Sequence, residues 1–265
     1  MDNRTADYLS RIGATDLYEV SSSNLAALQK AHLLSVPYEN IDIWKGCAAP
    51  LSYDNLFEKI VVRRRGGYCF ELNGLFAWLL RQLGYNVVEY FGRWLKGEAL
   101  AVPARRHRIL KVNLENREFI VDVGVGQRTP LTPLEFVYDK VQAREGADYR
   151  IVKNMRNESV VEIYSDGNWV SLYSFDSAPQ EAIDFNYVHY YCVNEPSSFF
   201  RNNLLVHLPS ENGRKAISMA PDPETGMSVP LLSISLNEES SATYLRTSSA
   251  LKAALEEHFG IMDAL

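Results

Sequence analysis

The spacing of apolar residues changes once along this chain, and that change limits the folds open to it. Up to about residue 85 the apolar positions recur at helical spacing; from Asn86 they gather into short runs that read as strands. Leu25, Leu28, Ala31 and His32 form one helical stripe, which Ser23 or Asn24 can cap and Pro37 ends. Leu56, Phe57, Ile60 and Val61 form a second after Ser52. Leu72, Leu75, Phe76, Leu79, Leu80 and Leu83 form the clearest, with Gly84 placed to stop it. The strand candidates are Val87–Trp94, His107–Leu114, Arg117–Val123, Tyr149–Lys153, Ser159–Tyr164 and Trp169–Phe175, with Asp166-Gly167 as a turn. A helix is expected again around Pro179, where Ser177 and Gln180 have capping-box spacing. Ala220–Ser228 reads as a surface loop, and Ser249–Phe259 as a closing helix ended by Gly260. Helices first, strands next and a mixed segment last point to an α+β fold rather than to alternating βαβ units.

Composition narrows the function classes. The chain has 265 residues, 46% hydrophobic and 23% charged. A chain of this size buries roughly three quarters of its unfolded surface and needs neither disulfide nor structural metal. Cys47, Cys69 and Cys192 are odd in number and widely spaced, so they imply no disulfide framework, and no pair has zinc-ligand spacing. No metal is expected. A net charge of −6 argues against a nucleic-acid partner, although a local basic pocket could still take a small polyanion. The polar start Met1-Asp2-Asn3-Arg4 lacks a signal-peptide core, and no run approaches the roughly 20 apolar residues of a membrane span. The expected compartment is a reducing cytoplasm.

Cys69 follows Gly66-Gly67 and opens the strongest helix. Amides at a helix N-terminus favour a thiolate, whereas burial as a structural cysteine is the competing reading. A thiolate nucleophile needs an imidazole with an orienting partner, and His107 with Asp122 is the best pair. A two-residue turn at Glu115-Asn116 would set Leu114 opposite Arg117 and bring His107 and Asp122 diagonally onto one sheet face. A three-residue loop would send them to opposite faces. Cys47 and Cys192 read as structural, His32 as a helix-packing residue, and His189, His207 and His258 as polar or partly exposed. The stretch Asp122-Val123-Gly124-Val125-Gly126-Gln127 is a strand entering a glycine loop, either a phosphate-facing loop or an ordinary turn. Arg63 and Arg64 can belong to a solvated face, while Arg65 reads as paired internally.

Taken together, these segments resemble the arylamine N-acetyltransferase family. Arg65-Gly66-Gly67-Tyr68-Cys69-Phe70-Glu71-Leu72-Asn73 is similar to its nucleophile motif, and Val36-Pro37-Tyr38-Glu39-Asn40-Ile41-Asp42 to its upstream motif. His107–Leu114 followed by Phe119–Gly126 resembles its histidine strand and aspartate-glycine loop. Leu172-Tyr173-Ser174-Phe175 and Asp184-Phe185 resemble later landmarks. The resemblance implies a helical bundle over 1–85, a β-barrel over 86–190 and an α/β lid over 191–265. It also implies a papain-like triad of Cys69, His107 and Asp122. Glu39 and Arg65 match a buried supporting ion pair. Tyr38 matches the acyl-pocket segment, and Gly124, Val125, Gly126 and Gln127 match the loop that approaches coenzyme A. Tyr38 and Val125 stand where phenylalanine is common in the family, so Val125 should leave more room. The implied activity is acetyl transfer from acetyl-coenzyme A, a co-substrate rather than a cofactor, to aromatic amines or hydrazines in xenobiotic metabolism. An amide synthase or cysteine hydrolase could use the same triad, and a binding protein for aromatic ligands or coenzyme A would use the cleft without turnover.

Overall fold

Apolar helical stripes need partner surfaces, and those of the first third of the chain find one another. The computed structural model describes residues 3–97, 102–126, 129–237 and 239–262. It begins with α1 (Asn3–Ile12), α2 (Ser22–Ser35), a two-residue strand β1 (Tyr38–Glu39), α3 (Ile41–Trp44), α4 (Tyr53–Phe57) and α5 (Cys69–Gln82). Helices α1, α2, α4 and α5 share one apolar core. Leu72, Leu75, Phe76, Leu79 and Leu80 of α5 are all fully buried in it, each worth about 1.5–3 kcal/mol. The cap of α2 is Ser21, whose Oγ accepts from the Asn24 N–H at 3.1 Å, so the helix starts earlier than the Ser23 or Asn24 cap expected. Ser52 caps α4 as expected, and the chain then passes through a π-turn, Glu58–Val62.

The middle of the chain forms β2 (Asn86–Trp94), β3 (Arg105–Leu114), β4 (Arg117–Val121), β5 (Leu134–Glu135), β6 (Gln142–Arg144), β7 (Ala147–Lys153), β8 (Ser159–Ser165) and β9 (Asn168–Gln180). They make one antiparallel sheet in the order β5-β4-β3-β2-β9-β8-β7-β6. The sheet curls into a barrel, filled by Ile109, Ile120, Leu134, Ile151, Val161 and Leu172. Its two edges meet through side chains of β6, chiefly Gln142, with Arg144 Nε also donating to the Pro133 carbonyl at 3.3 Å. Gln142 Oε1 accepts from the Glu135 N–H and its Nε2 donates to the Glu135 carbonyl, both at 2.9 Å, so an amide side chain stands in for a missing strand pairing. Glu115 and Asn116 both have positive φ, 53° and 61°, which is the two-residue hairpin turn that sets Leu114 opposite Arg117.

The helix expected around Pro179 is absent. Strand β9 continues to Gln180 because Pro179 and Gln180 pair with Tyr90 and Glu89 of β2; proline needs no N–H partner near a strand end. Helix α6 starts only at Phe185 and runs to Asn194, followed by α7 (Phe199–Asn202). The last part holds β10 (Leu205–Ser210), β11 (Gly213–Pro221), β12 (Ser228–Leu236), β13 (Glu239–Tyr244) and α8 (Ser248–Phe259). Pro221 pairs with Ser228, so the loop expected over Ala220–Ser228 shrinks to residues 222–227. Leu251, Ala254, Leu255 and Phe259 of α8 pack on Val206, Ile217 and Leu232. Gly260 ends α8 with φ +65°. The five-stranded sheet β1-β10-β11-β12-β13 takes its first strand from the helical part, pairing Tyr38 with His207 and Glu39 with Val206. The helical part and the last sheet are thereby joined next to Gly67, which bridges to Tyr38 just before Cys69. No described helix is long and apolar enough to cross a membrane.

Candidate active site

Cys69 is the first residue of α5, and the backbone just before it is pinned on both sides. Gly67 accepts from the Glu39 N–H at 2.8 Å. A Cβ on Gly66 would fall onto the Pro37 carbonyl, so no other residue fits where the two segments cross. The Glu71 Oε2 accepts from the Tyr68 N–H at 3.0 Å, holding the turn into the helix. Cys69 itself is only 2% exposed. Its Sγ–H donates to the Arg106 carbonyl at 3.6 Å. Burial pushes the thiol up from its ordinary range. Amides at the N-terminus of α5 favour the ionised thiol while burial disfavours it, so what lies beside Cys69 decides how it can react.

His107 lines the same cavity as Cys69, with Asp122 behind it. The two-residue turn brings them together as the register required, with His107 Nε2 and Asp122 Oδ2 at 2.7 Å. A carboxylate accepts, so Nε2 carries a hydrogen, and in the neutral ring Nδ1 is the nitrogen with the free lone pair. Asp122 is fixed by two more donors on Oδ1, the Asn73 Nδ2 and the Gly124 N–H, each at 2.8 Å. Asn73 also accepts from the Val123 N–H and donates to the Arg108 carbonyl. Asn73 sits one turn after Cys69 on α5, so a single helix carries the thiol and the clamp on the aspartate. That role was missed in the sequence, where the signal was a polar residue inside an otherwise apolar run. The His107 ring is held from its sides by Tyr173 at 5.1 Å and Trp94 at 6.2 Å between centroids.

Cys69 and His107 line the same cavity of about 320 Å3. Tyr38, Gly124 and Val125 also line it, as do the aromatic walls Trp94, Phe199 and Phe200. Its described charged lining is basic, Arg106 and Lys96, with Arg106 lying over both phenylalanine rings. Gly126 lies against Tyr38 and His207 at the edge, and Gln127 falls outside the described residues. His207 is 4% exposed and lines the cavity, and His189 is 7% exposed; both differ from the polar, partly exposed setting expected. The reason is tertiary: β10 folds back onto β1, and α6 packs over Tyr68. Cys47, expected to be structural, is exposed.

Arg65 and Glu39 form the internal pair that the sequence indicated, at 2.8 Å and with side chains at most 3% exposed. They belong to a larger network. Arg65 also reaches Asp42 at 2.9 Å, and Lys59 reaches Asp42 and Glu71, each at 2.9 Å. Burial disfavours the Lys59 charge, but Glu39, Glu71 and Asp42 together raise its pKa and keep it protonated. Glu71 is raised by burial and drawn back by Lys59. Glu71 had a sequence signal, an acid in the first turn of a helix. Lys59 had none, because the π-turn decides which way it faces.

A family model described as N-acetyltransferase matches residues 22–263. An arylamine N-acetyltransferase of Escherichia coli (strain K12) is 36% identical over 204 residues, 76% of this chain and 72% of that protein. The structure of arylamine N-acetyltransferase from Mycobacterium tuberculosis superposes with a TM-score of 0.86 at 28% identity, covering 97% of this chain and 93% of the other. The Mycobacterium marinum arylamine N-acetyltransferase in complex with CoA superposes with a TM-score of 0.85 at 28% identity, covering 97% and 92%. The α+β fold expected from the sequence is the fold of these relatives. By sequence and by structure, this chain belongs to the arylamine N-acetyltransferase family of acyltransferases.

Proposed function

We propose that this protein transfers acetyl groups from acetyl-coenzyme A to arylamines and hydrazines through an acetyl-Cys69 intermediate. The observation that carries the reading is the shared cavity: Cys69 opens onto the same 320 Å3 space as a histidine tied to a clamped aspartate. The relative that holds CoA supports the donor.

In the first half-reaction the Cys69 proton passes to His107 Nδ1 as Sγ attacks the thioester carbonyl. The tetrahedral adduct collapses, the C–S bond to coenzyme A breaks, and His107 returns the proton to the departing thiolate. In the second, the amine nitrogen attacks the acetyl carbonyl and gives its proton to His107. The Cys69 thiolate leaves and is reprotonated. Asp122 keeps His107 in the tautomer both halves need. Transferring the proton within the step suits a buried thiol, because it never leaves a lone charge in the cavity. An arylamine suits the second half because its lone pair is free at neutral pH. Since the acetyl group waits on the protein, donor and acceptor can use one cleft in turn. Val125 and the glycine loop form the wall that both substrates meet. Acceptors of xenobiotic origin and a cytoplasmic setting complete the reading.

The test is to acetylate the protein, remove acetyl-coenzyme A by gel filtration, and add an arylamine. One equivalent of N-acetylated product per acetylated site is expected. No product without fresh acetyl-coenzyme A would refute the two-step route and favour direct transfer, hydrolysis or simple binding.

A further inference from the structure

Lys59 lies outside the active-site cavity. It borders a second cavity, of about 370 Å3, that shares no lining residue with the first. It has no direct access to donor or acceptor there, yet it is tied to the start of the nucleophile helix. Its Nζ donates to both Glu71 oxygens, at 2.9 and 3.0 Å. Glu71 in turn accepts from the N–H of Tyr68, the residue immediately before Cys69. Arg65, the other cation of the network, is engaged with Glu39 and Asp42. The backbone around Lys59 is built for this. The π-turn Glu58–Val62 closes with Arg63 N–H on the Glu58 carbonyl at 2.8 Å, and the Lys59 carbonyl accepts from the Arg65 N–H at 3.0 Å. This wide turn buries Ile60 and Val61 in the helical core while Lys59 faces the three carboxylates. Such turns are rare and tend to mark functional positions.

We propose that Lys59 is a positioning residue for the nucleophile: its ammonium holds the Glu71 carboxylate that fixes the Tyr68 N–H, and through it the placement of Cys69 against His107. Without Lys59 the Glu71 carboxylate is left buried beside Glu39 and Asp42. It must then move or take up a proton, and either change loosens the backbone at Cys69. This role presupposes Cys69 as the nucleophile.

Wild type, Lys59→Met, Glu71→Gln and the double variant would be compared by melting temperature, single-turnover acetylation of Cys69, and alkylation of Cys69 by iodoacetamide. Lys59→Met should slow both Cys69 reactions about 10- to 100-fold at a temperature where it is fully folded, because an ångström of misplacement costs about that much. The arylamine concentration that half-saturates deacetylation of pre-acetylated protein in a single turnover should stay unchanged, since Lys59 does not line the active-site cavity. The double variant should recover most of the loss, because glutamine still offers an oxygen to the Tyr68 N–H and has no charge to balance. A folded Lys59→Met that reacts at the wild-type rate overturns the proposal, and so does a double variant as slow as Lys59→Met. If Lys59→Met does not fold, the double variant is judged against Glu71→Gln: equal rates support the role and an about tenfold deficit overturns it. If wild type accepts no acetyl group, the proposed function fails on its own, and the alkylation rates still decide the role of Lys59.

Discussion

Gly124→Ala perturbs the active site through a single methyl group. A Cβ at Gly124 would sit 2.7 Å from the Cys69 Cα, 3.1 Å from its Cβ and 2.9 Å from the Asn73 Nδ2. Carbon atoms rest at about 3.5 Å or more, so the methyl is roughly 0.8 Å too close to the Cys69 backbone. That atom cannot swing aside like the tip of a long side chain. Either the start of α5 or the loop after Asp122 must move, and both carry reacting groups. The loop moves the Gly124 N–H that holds Asp122 at 2.8 Å. A shift approaching 1 Å between nucleophile and base should slow acetylation of Cys69 about 10- to 100-fold. Overpacking of this kind costs about 1–3 kcal/mol, which leaves most domains folded. The assay is quenched single-turnover acetylation, with melting temperature as the control. Retention of the wild-type rate within a factor of about two, with the fold intact, would refute the claim that Gly124 sets the distance between Cys69 and the His107–Asp122 pair.

Arg65→Gln should lower stability by about 3–5 kcal/mol, because it leaves Glu39 buried with its main partner gone, whereas the exposed Arg63→Gln should cost little; equal melting temperatures would sink this. Burial pushes His32 down to about 3. Between an unfolded value of about 6.5 and the folded one, only the unfolded chain takes up that proton, so His32 costs stability at about 1.4 kcal/mol per pH unit as pH falls through that window. His32→Leu should therefore flatten the fall in melting temperature from neutral to acid pH, and an unchanged slope would contradict it. Val125→Phe should slow transfer to bulky arylamines more than to small ones, by about 1–3 kcal/mol of discrimination; an unchanged ratio of the two rates would show that Val125 does not gate the acceptor.

The parts of the fold and site that were legible in the sequence are those governed by local rules. The apolar stripe of α5 and the Asp166-Gly167 turn follow from side-chain period and turn chemistry. So does the two-residue turn at Glu115-Asn116, which fixes register and, with it, the meeting of His107 and Asp122. What stayed hidden depends on tertiary contacts. Pro179 looked helical until β2 offered a pairing edge. His207 reached the cavity only because β1, from the helical part, joined the last sheet. Lys59 joined the ion network because a π-turn, which has no periodic signature of its own, sets its direction. Cys69 stands at a helix N-terminus, which favours a thiolate, but its burial, which opposes one, comes from tertiary packing that the local sequence does not show.

The central claim is that Cys69 takes the acetyl group, and intact-mass analysis with peptide mapping after exposure to acetyl-coenzyme A tests it most directly. The account predicts a single acetyl adduct on Cys69, lost when an arylamine is added and absent in Cys69→Ala. An unmodified protein, or an adduct that maps to Cys47, Cys192 or a lysine and survives the Cys69→Ala change, would contradict it.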